Sequence, residues 1–322
     1  METQNRNTFV IIVVVVAVVA LLCCLALVAV AAATGLFFPI WRTEGGPGAA
    51  AAMARTEESF DVGSTPQLQL SNFAGSVLVR SGAGEQIHVI ATKRVTPASD
   101  LERVEINFDH RGSELVIQTR KPARLMAANV EFEITVPPGT QAELRTGAGT
   151  VEVEGIQGGV IVDTGSGSVE AWALLGAVDL HTGSGTITVQ DVTGDLTLDS
   201  GSGGLSVRGL NGSLDAHTGS GSIDVNGTTG QVRLDTGSGS VEYLGAPEGE
   251  CRFETGSGRI VLRLPAALDA RVDLSTASGT VDVAFPVEGE VGRRDVRGVI
   301  GSGEEASIFA QTGTGDIQVL IY

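Results

Sequence analysis

The chain has 322 residues, of which 44 are glycine, 4% are aromatic and 18% are charged, with a formal net charge of −17. So much glycine disfavours a helical bundle, because each interior glycine costs about 1 kcal/mol relative to alanine, and 42% hydrophobic residues are too many for a disordered chain. The acidic balance argues against nucleic acid as a partner, since phosphate binding requires clustered Lys and Arg.

The N-terminal region carries a candidate membrane span. After a short tail, residues 1–8, Phe9–Ala33 is an uninterrupted run of 25 apolar residues. As a helix it would be about 37 Å long, enough to cross a hydrocarbon core of about 30 Å. A cleaved signal peptide has an apolar core of only about 7–15 residues, so we favour a retained signal-anchor over cleavage near the AAA segment at 31–33. A short tail before a large domain predicts a single-pass cell-membrane protein with an extracytoplasmic main domain.

Residues 34–57 are predicted to be a juxtamembrane linker. Phe37, Phe38 and Trp41 suit a membrane–water interface, and 43–57 contains Gly, Pro and Ala without an alternating apolar pattern. The main domain is therefore predicted to span 58–322.

An 18-residue repeat dominates this domain. The turn sequence TGAG at 146–149 recurs as TGSG or SGSG beginning at 164, 182, 200, 218 and 236, and in looser spacing at 255, 276 and 312. A fixed short period is the signature of a solenoid. A glycine-rich turn every 18 residues also excludes long helices.

Each repeat predicts two short strands. Val160 and Val162 alternate with exposed-type residues, and Val169 and Ala171 do so after the turn, as expected for strands with one buried face. Two strands and two turns form a coil, and equivalent residues stack about 4.8 Å apart. The predicted fold is all-β, a β-solenoid with coils of about 18 residues, regular over 146–254. Its aliphatic columns are Val160, Val178, Leu196, Leu214, Val232 and Cys251, and Val169, Ile187, Leu205, Ile223, Val241 and Ile260.

The flanks are predicted from weaker patterns. Residues 58–145 alternate without a strict period and are interpreted as less regular coils of the same solenoid. Residues 286–311 are interpreted as a loop insertion before a last strand, Asp316–Tyr322. The segments at 130–153 and 259–283 resemble each other, each ending in TGAGTVEV or TASGTVDV.

One column of polar residues is a candidate site. The residue before each turn alternates between acid and imidazole, which suggests a weak divalent-metal or proton-responsive edge, since histidine changes charge near neutral pH. The favoured interpretation is structural, because alternation relieves like-charge stacking and Asp side chains bond to turn backbones. This ladder consists of Asp163, His181, Asp199, His217 and Asp235, with Glu254 in the next coil.

Motifs for catalysis are not found in the sequence. The GSG turns lack the lysine and the helix of a phosphate-binding loop, and calcium-binding β-rolls, a further alternative, place their Asp after the glycines rather than before them. HExxH and GxSxG do not occur, and Cys251 is alone in the domain. We predict no enzyme activity, no cofactor and no metal beyond the ladder.

The domain resembles a known family. The segments LQLSNFAGSVLVRSG (68–82), VEFEITVPPGTQAELRTGAGTVEV (130–153), the TGSGxVxV repeats and the end at 298–322 are similar to the bacterial putative-adhesin family of β-strand-repeat domains, a family of unknown function. The resemblance implies a membrane-anchored envelope protein without catalytic residues.

The function expected from these observations is an adhesin-like role in surface adhesion or protein interaction. Two alternatives stay open: a regulatory ectodomain of an envelope-stress or signalling system, and a self-assembling structural solenoid. The expected partners are the membrane, a surface ligand or envelope protein, and further copies of the chain.

Overall fold

The computed structural model describes residues 51–125 and 127–322. The predicted tail, the predicted membrane helix and residues 34–50 of the predicted linker lie outside the described residues. Within the described part, no helix is long and apolar enough to cross a membrane.

The described residues form strands joined by tight turns and one 3₁₀-helix, Ala98–Arg103. The strands before the regular repeats are β1 Ala52–Asp61, β2 Gln67–Asn72, β3 Val77–Ser81, β4 Gln86–Thr96, β5 Glu105–Arg111, β6 Glu114–Arg120 and β7 Ala127–Val136. The strands of the regular repeats are β8 Gln141–Thr146, β9 Val151–Glu154, β10 Val160–Thr164, β11 Val169–Leu175, β12 Val178–Thr182, β13 Ile187–Thr193, β14 Leu196–Ser200, β15 Leu205–Asn211, β16 Leu214–Ser220, β17 Ile223–Gly230, β18 Val232–Ser238, β19 Val241–Pro247, β20 Gly249–Ser257 and β21 Ile260–Leu264. The last strands are β22 Ala270–Ser278, β23 Val281–Val283, β24 Glu288–Val291, β25 Asp295–Ile300, β26 Ala306–Thr314 and β27 Ile317–Ile321.

The strands build two sheets that face each other across one core. From β8 to β21, even-numbered strands join a 14-stranded sheet and odd-numbered strands a 13-stranded sheet, and successive members of each sheet are parallel. The pairing advances by 18 residues per coil, as in Val160 opposite Val178 and Val169 opposite Ile187. The prediction of an all-β solenoid with two-strand coils is confirmed.

The two predicted aliphatic columns form the core. Every member is buried, from Val160 at 2% exposed to Ile260 at 0%. The column through Cys251 continues after a one-residue insertion, since Arg233 pairs with Arg252 rather than with the residue 18 positions later. Stacked β-branched and Leu side chains suit this pleated, half-buried surface.

The turn residues are held by close backbone stacking. A Cβ atom on Gly203 would overlap the carbonyl oxygen of Gly185 in the preceding coil. The Thr or Ser that opens a turn points inward, and in most of the regular coils its hydroxyl donates to a turn carbonyl of the preceding coil. The hydroxyl of Thr164 has no such partner among the described residues. Thr218 Oγ1 lies 2.9 Å from the Gly203 oxygen, and Thr182 Oγ1 lies 2.9 Å from the Gly167 oxygen. The turns therefore contribute an internal column of hydrogen bonds that the sequence pattern did not predict.

Near each end of the solenoid, the order of the coils in space differs from their order along the chain, because the chain passes over one coil, or layer. The coil of β2 and β3 lies between the coil of β6 and β7 and that of β8 and β9, and the coil of β26 and β27 lies between that of β20 and β21 and that of β22 and β23. The chain passes over one layer in the turn between β7 and β8, and again between β21 and β22. These crossings fall in the two segments, 130–153 and 259–283, that resemble each other in sequence.

Asp269 forms hydrogen bonds with the loop that leads into the inserted coil of β26 and β27. It lies in the turn between β21 and β22, and its carboxylate accepts hydrogen bonds from the Ser302 hydroxyl and from the backbone amides of Gly303 and Glu304, the latter at 3.0 Å. These bonds, that of Ser302 foremost, hold the pKa of Asp269 below its usual range. The layer-crossing turn is therefore bonded directly to the loop that leads into β26.

The N-terminal flank differs in part from the prediction. Residues 58–145 supply two parallel coils, as expected, but β1, β4 and β5 run antiparallel to their neighbours and form the cap. The first strand begins at Ala52, six residues inside the predicted linker. Its inward side chains, Ala52, Ala54 and Thr56, are too small to give a recognisable apolar alternation.

The prediction of a loop at 286–311 is wrong. This stretch contains β24 and β25, which form an antiparallel hairpin at the end of the 14-stranded sheet, and most of β26. The hairpin is largely exposed, and its Gly, Glu and Arg composition therefore resembles that of a loop.

Candidate binding face

The predicted polar ladder lies on the outer face of the 14-stranded sheet. Its members stack in register: Asp163 opposite His181, His181 opposite Asp199, Asp199 opposite His217, and His217 opposite Asp235. The structure thus brings the five residues together in one column. What the structure adds is how the imidazoles are paired.

One histidine contacts a carboxylate on its own strand, and the other contacts a carboxylate on the neighbouring strand. His181 Nε2 lies 2.7 Å from Asp179 Oδ1 on its own strand, whereas His217 Nδ1 lies 3.4 Å from Asp235 Oδ2 on the next one. Among the residues that the structure describes, no group of three or more His, Cys, Asp or Glu is placed to hold a metal ion. These contacts fit the relief of like-charge stacking and give the metal hypothesis no geometric support.

A groove of about 500 Å³ lies beside the ladder on the same face. It crosses β2, β8, β10, β12 and β14 near the start of each strand. Gly158, Gly159 and Ala177 line its floor, together with the exposed side of Ile161.

Two neighbouring coils carry small residues where they line the groove. At the position just before the first inward residue, Gly159 and Ala177 carry no side chain beyond Cβ. The stacked positions from β2 to β20 read Gln67, Gln141, Gly159, Ala177, Asp195, Ser213, Gln231 and Glu250. Long side chains therefore rise beside the groove and are missing in its middle.

Ile161 is a second departure at the same place. The outward column that contains it reads Gln69, Glu143, Ile161, Asp179, Thr197, Asp215, Arg233 and Arg252 from β2 to β20. Ile161 is the apolar member of this otherwise polar series, and 47% of it is exposed.

The rim of the groove is acidic. Glu143, Asp179 and Asp195 line it, and no Lys, Arg or His does. Two of the carboxylates have partners in the ladder column: Arg145 Nη2 lies 2.5 Å from Glu143 Oε1, and His181 contacts Asp179.

Two arginines stand on the same face farther along the solenoid, among the carboxylates of Asp215 and Glu250. Arg233 and Arg252 occupy the column of Ile161 on β18 and β20. The guanidinium of Arg252 lies 4.4 Å from the ring centroid of Phe309 and 2.7 Å from Glu254 Oε1, and its hydrogen bond to Glu254 raises the pKa of Arg252.

The residues that line the groove do not recur from coil to coil, so the repeat pattern does not point to them. The signal was available in the aligned repeats, as the small residues at 159 and 177 and the apolar residue at 161. In a solenoid, each coil serves as a reference for its neighbours, so a departure that the fold does not require marks a place with another role.

The architecture matches a described family. The model of the Toastrack DUF4097 family matches residues 68–320. The chain belongs to this family. The match covers the Toastrack solenoid from β2 to β27, including both layer crossings and the groove, and it agrees with the resemblance seen in the sequence. No curated protein matches the chain.

Solved structures with similarity to this Toastrack chain are described as adhesins. A putative adhesin from Parabacteroides distasonis has 12% identity, covers 82% of this chain and 97% of its own, and has a TM-score of 0.50. A putative adhesin from Bacteroides fragilis has 12% identity, with 83% and 97% covered and a TM-score of 0.39. A putative cell adhesion protein from Clostridium sporogenes has 13% identity, with 84% and 100% covered and a TM-score of 0.24. The first of these supports the fold.

Proposed function

We propose that this chain is a membrane-anchored, extracytoplasmic, adhesin-like solenoid that binds a surface ligand or an envelope protein and has no enzymatic activity. The groove on the 14-stranded sheet carries the proposal, because it combines a concave shape with side chains that the fold itself does not require. Binding sites are typically concave and lined by apolar groups with a few placed polar ones.

The apolar segment Phe9–Ala33 supports the membrane anchor, since its length suits a bilayer span. The solenoid would then project from the membrane and present its outer faces to the envelope. The description of structural neighbours as adhesins agrees with this role.

Protease accessibility tests the placement of the domain. Intact cells carrying the full chain with an epitope after Tyr322 are treated with a protease, after permeabilisation of any outer layer, and a cytoplasmic protein serves as the integrity control. We expect the solenoid to be cleaved while the control is preserved. Protection of both until the cytoplasmic membrane is broken would refute the extracytoplasmic placement.

Binding is tested separately by cross-linking on such cells. The wild-type chain and Ala177→Gln, which fills the groove, are compared for cross-linked partners. We expect a partner that the wild type captures and the variant loses. A partner captured equally by both would move the binding surface away from the groove.

A further inference from the structure

We infer that the groove binds an extended segment of a partner polypeptide in which two basic side chains flank an apolar one. This inference rests on the proposed binding function and specifies the chemistry of the occupant. It follows from the floor, the charge and the length of the groove.

The floor suits a flexible aliphatic side chain. Ile161 is 47% exposed at the centre, and the absence of long side chains at Gly159 and Ala177 leaves room beside it. Burying this surface under an apolar side chain of the partner is favourable, because it removes apolar area from water. The stems of Lys or Arg would cover the remaining apolar surface while their charged heads stay in water.

The rim selects cations. The carboxylates of Glu143, Asp179 and Asp195 border the groove without a basic residue in its lining. Arg145 offsets one of these charges, which leaves a net negative site on an acidic protein. An acidic segment would meet repulsion here, whereas a basic segment is attracted over a distance of about 10 Å at 0.1 M salt.

The length of the groove fits a short extended peptide. Glu143 on β8 and Asp195 on β14 are three strand spacings apart, about 14 Å across the strands, with a further offset of two residues along them. Two residues four positions apart in an extended chain are also separated by about 13–14 Å. The residue midway between them would lie near Ile161. Three glutamines at the β2 and β8 end, Gln67, Gln69 and Gln141, offer amides that can donate to and accept from peptide groups.

Calorimetric titration of the full-length chain in detergent tests the inference with defined peptides. The probe is the acetylated and amidated peptide GKTLTKG, and the matched probes are GETLTEG and GKTSTKG. We expect GKTLTKG to bind, GKTSTKG to bind more weakly because it lacks the apolar contact, and GETLTEG not to bind. Binding should weaken as salt is raised, because the charges are exposed.

Variants assign the binding to the groove. Ala177→Gln places a long side chain on the floor and should reduce affinity for GKTLTKG at least tenfold. Ser206→Gln on β15 of the opposite sheet is the matched control and should leave affinity unchanged. Equal urea midpoints for the three chains show that folding is intact. Equal affinity of the wild type and Ala177→Gln, or equal affinity for the acidic peptide, would overturn the inference.

A glucosamine tetramer serves as the competing ligand class. Displacement of GKTLTKG by this tetramer at lower concentration would assign the groove to amino sugars and overturn the polypeptide occupant. Peptide binding that is lost in Ala177→Gln, combined with a protease-protected domain in cells, would preserve this inference and refute the proposed placement. An accessible domain whose partner capture survives Ala177→Gln would preserve the proposed placement and refute the binding of a polypeptide in the groove.

Discussion

Replacing Thr218 with valine tests whether the buried turn hydroxyls stabilise the stack of coils. Thr218 is 0% exposed, and its hydroxyl donates to the Gly203 carbonyl at 2.9 Å. Valine has nearly the same shape, so the variant removes the hydrogen bond and leaves a buried acceptor without it. Such a loss costs about 1–3 kcal/mol.

Thr164 provides a matched control in the same column. It is 1% exposed, but its hydroxyl has no hydrogen-bond partner within the described part of the chain. Thr164→Val removes a buried unsatisfied group and should therefore be neutral or stabilising. Ser220→Ala, in an exposed turn position, should change stability by less than about 0.5 kcal/mol.

Urea unfolding monitored by circular dichroism measures these differences. With an m-value of about 3 kcal/mol per M, a loss of about 2 kcal/mol lowers the midpoint by about 0.7 M. We expect this shift for Thr218→Val and none, or a rise, for Thr164→Val. Equal shifts for the two valine variants would refute the reasoning, because they would show that the hydroxyls do not hold neighbouring coils together.

Three further substitutions, one of them with a control, address other parts of the solenoid. Ala173 and Asp191 adopt φ values of 56° and 53°, at a bulge position occupied by glycine in neighbouring coils. Ala173→Gly should raise the urea midpoint by the equivalent of roughly 0.5–1 kcal/mol, since relief of the left-handed strain exceeds the entropy cost of glycine, whereas Ala171→Gly, at a buried extended position, should lower it. Leu180→Ala should cost about 2–5 kcal/mol, because Leu180 is 0% exposed in a column that cannot collapse without parting the coils. Asp269 has a folded pKa below its unfolded value, so its contribution to stability is present above the unfolded pKa of about 3.9 and is lost as pH falls through the folded pKa. The difference in urea midpoint between wild type and Asp269→Asn should therefore shrink between about pH 6 and about pH 2.5, and a constant difference would contradict the bonding of this carboxylate.

The regular coils could be predicted from the sequence because stacking imposes the same constraint on every repeat. Val178 and Ile187 occur where the previous coil has Val160 and Val169, and the pairing confirms that order. The ladder of acids and imidazoles was found in the same way. Register alone determines both features, and register follows from the period.

The ends could not be predicted, because their pairing partners are distant in sequence. The coil of β26 and β27 inserts between two coils made earlier in the chain, and no local pattern specifies which edge a strand will join. The two similar segments at 130–153 and 259–283 were visible, yet their common task, crossing one layer, depends on three-dimensional order. The groove was missed for a different reason, since its residues depart from the repeat that guided the search.

Both layer crossings lie near the ends of the solenoid. The number of central coils can therefore vary without changing how the solenoid ends. The coils from β16 to β19 could be duplicated or deleted in units of 18 residues without changing the groove, either cap or either crossing. Each added unit would lengthen the solenoid by about 4.8 Å. The number of central coils thus sets the length of the solenoid, while the groove and the two ends stay as they are.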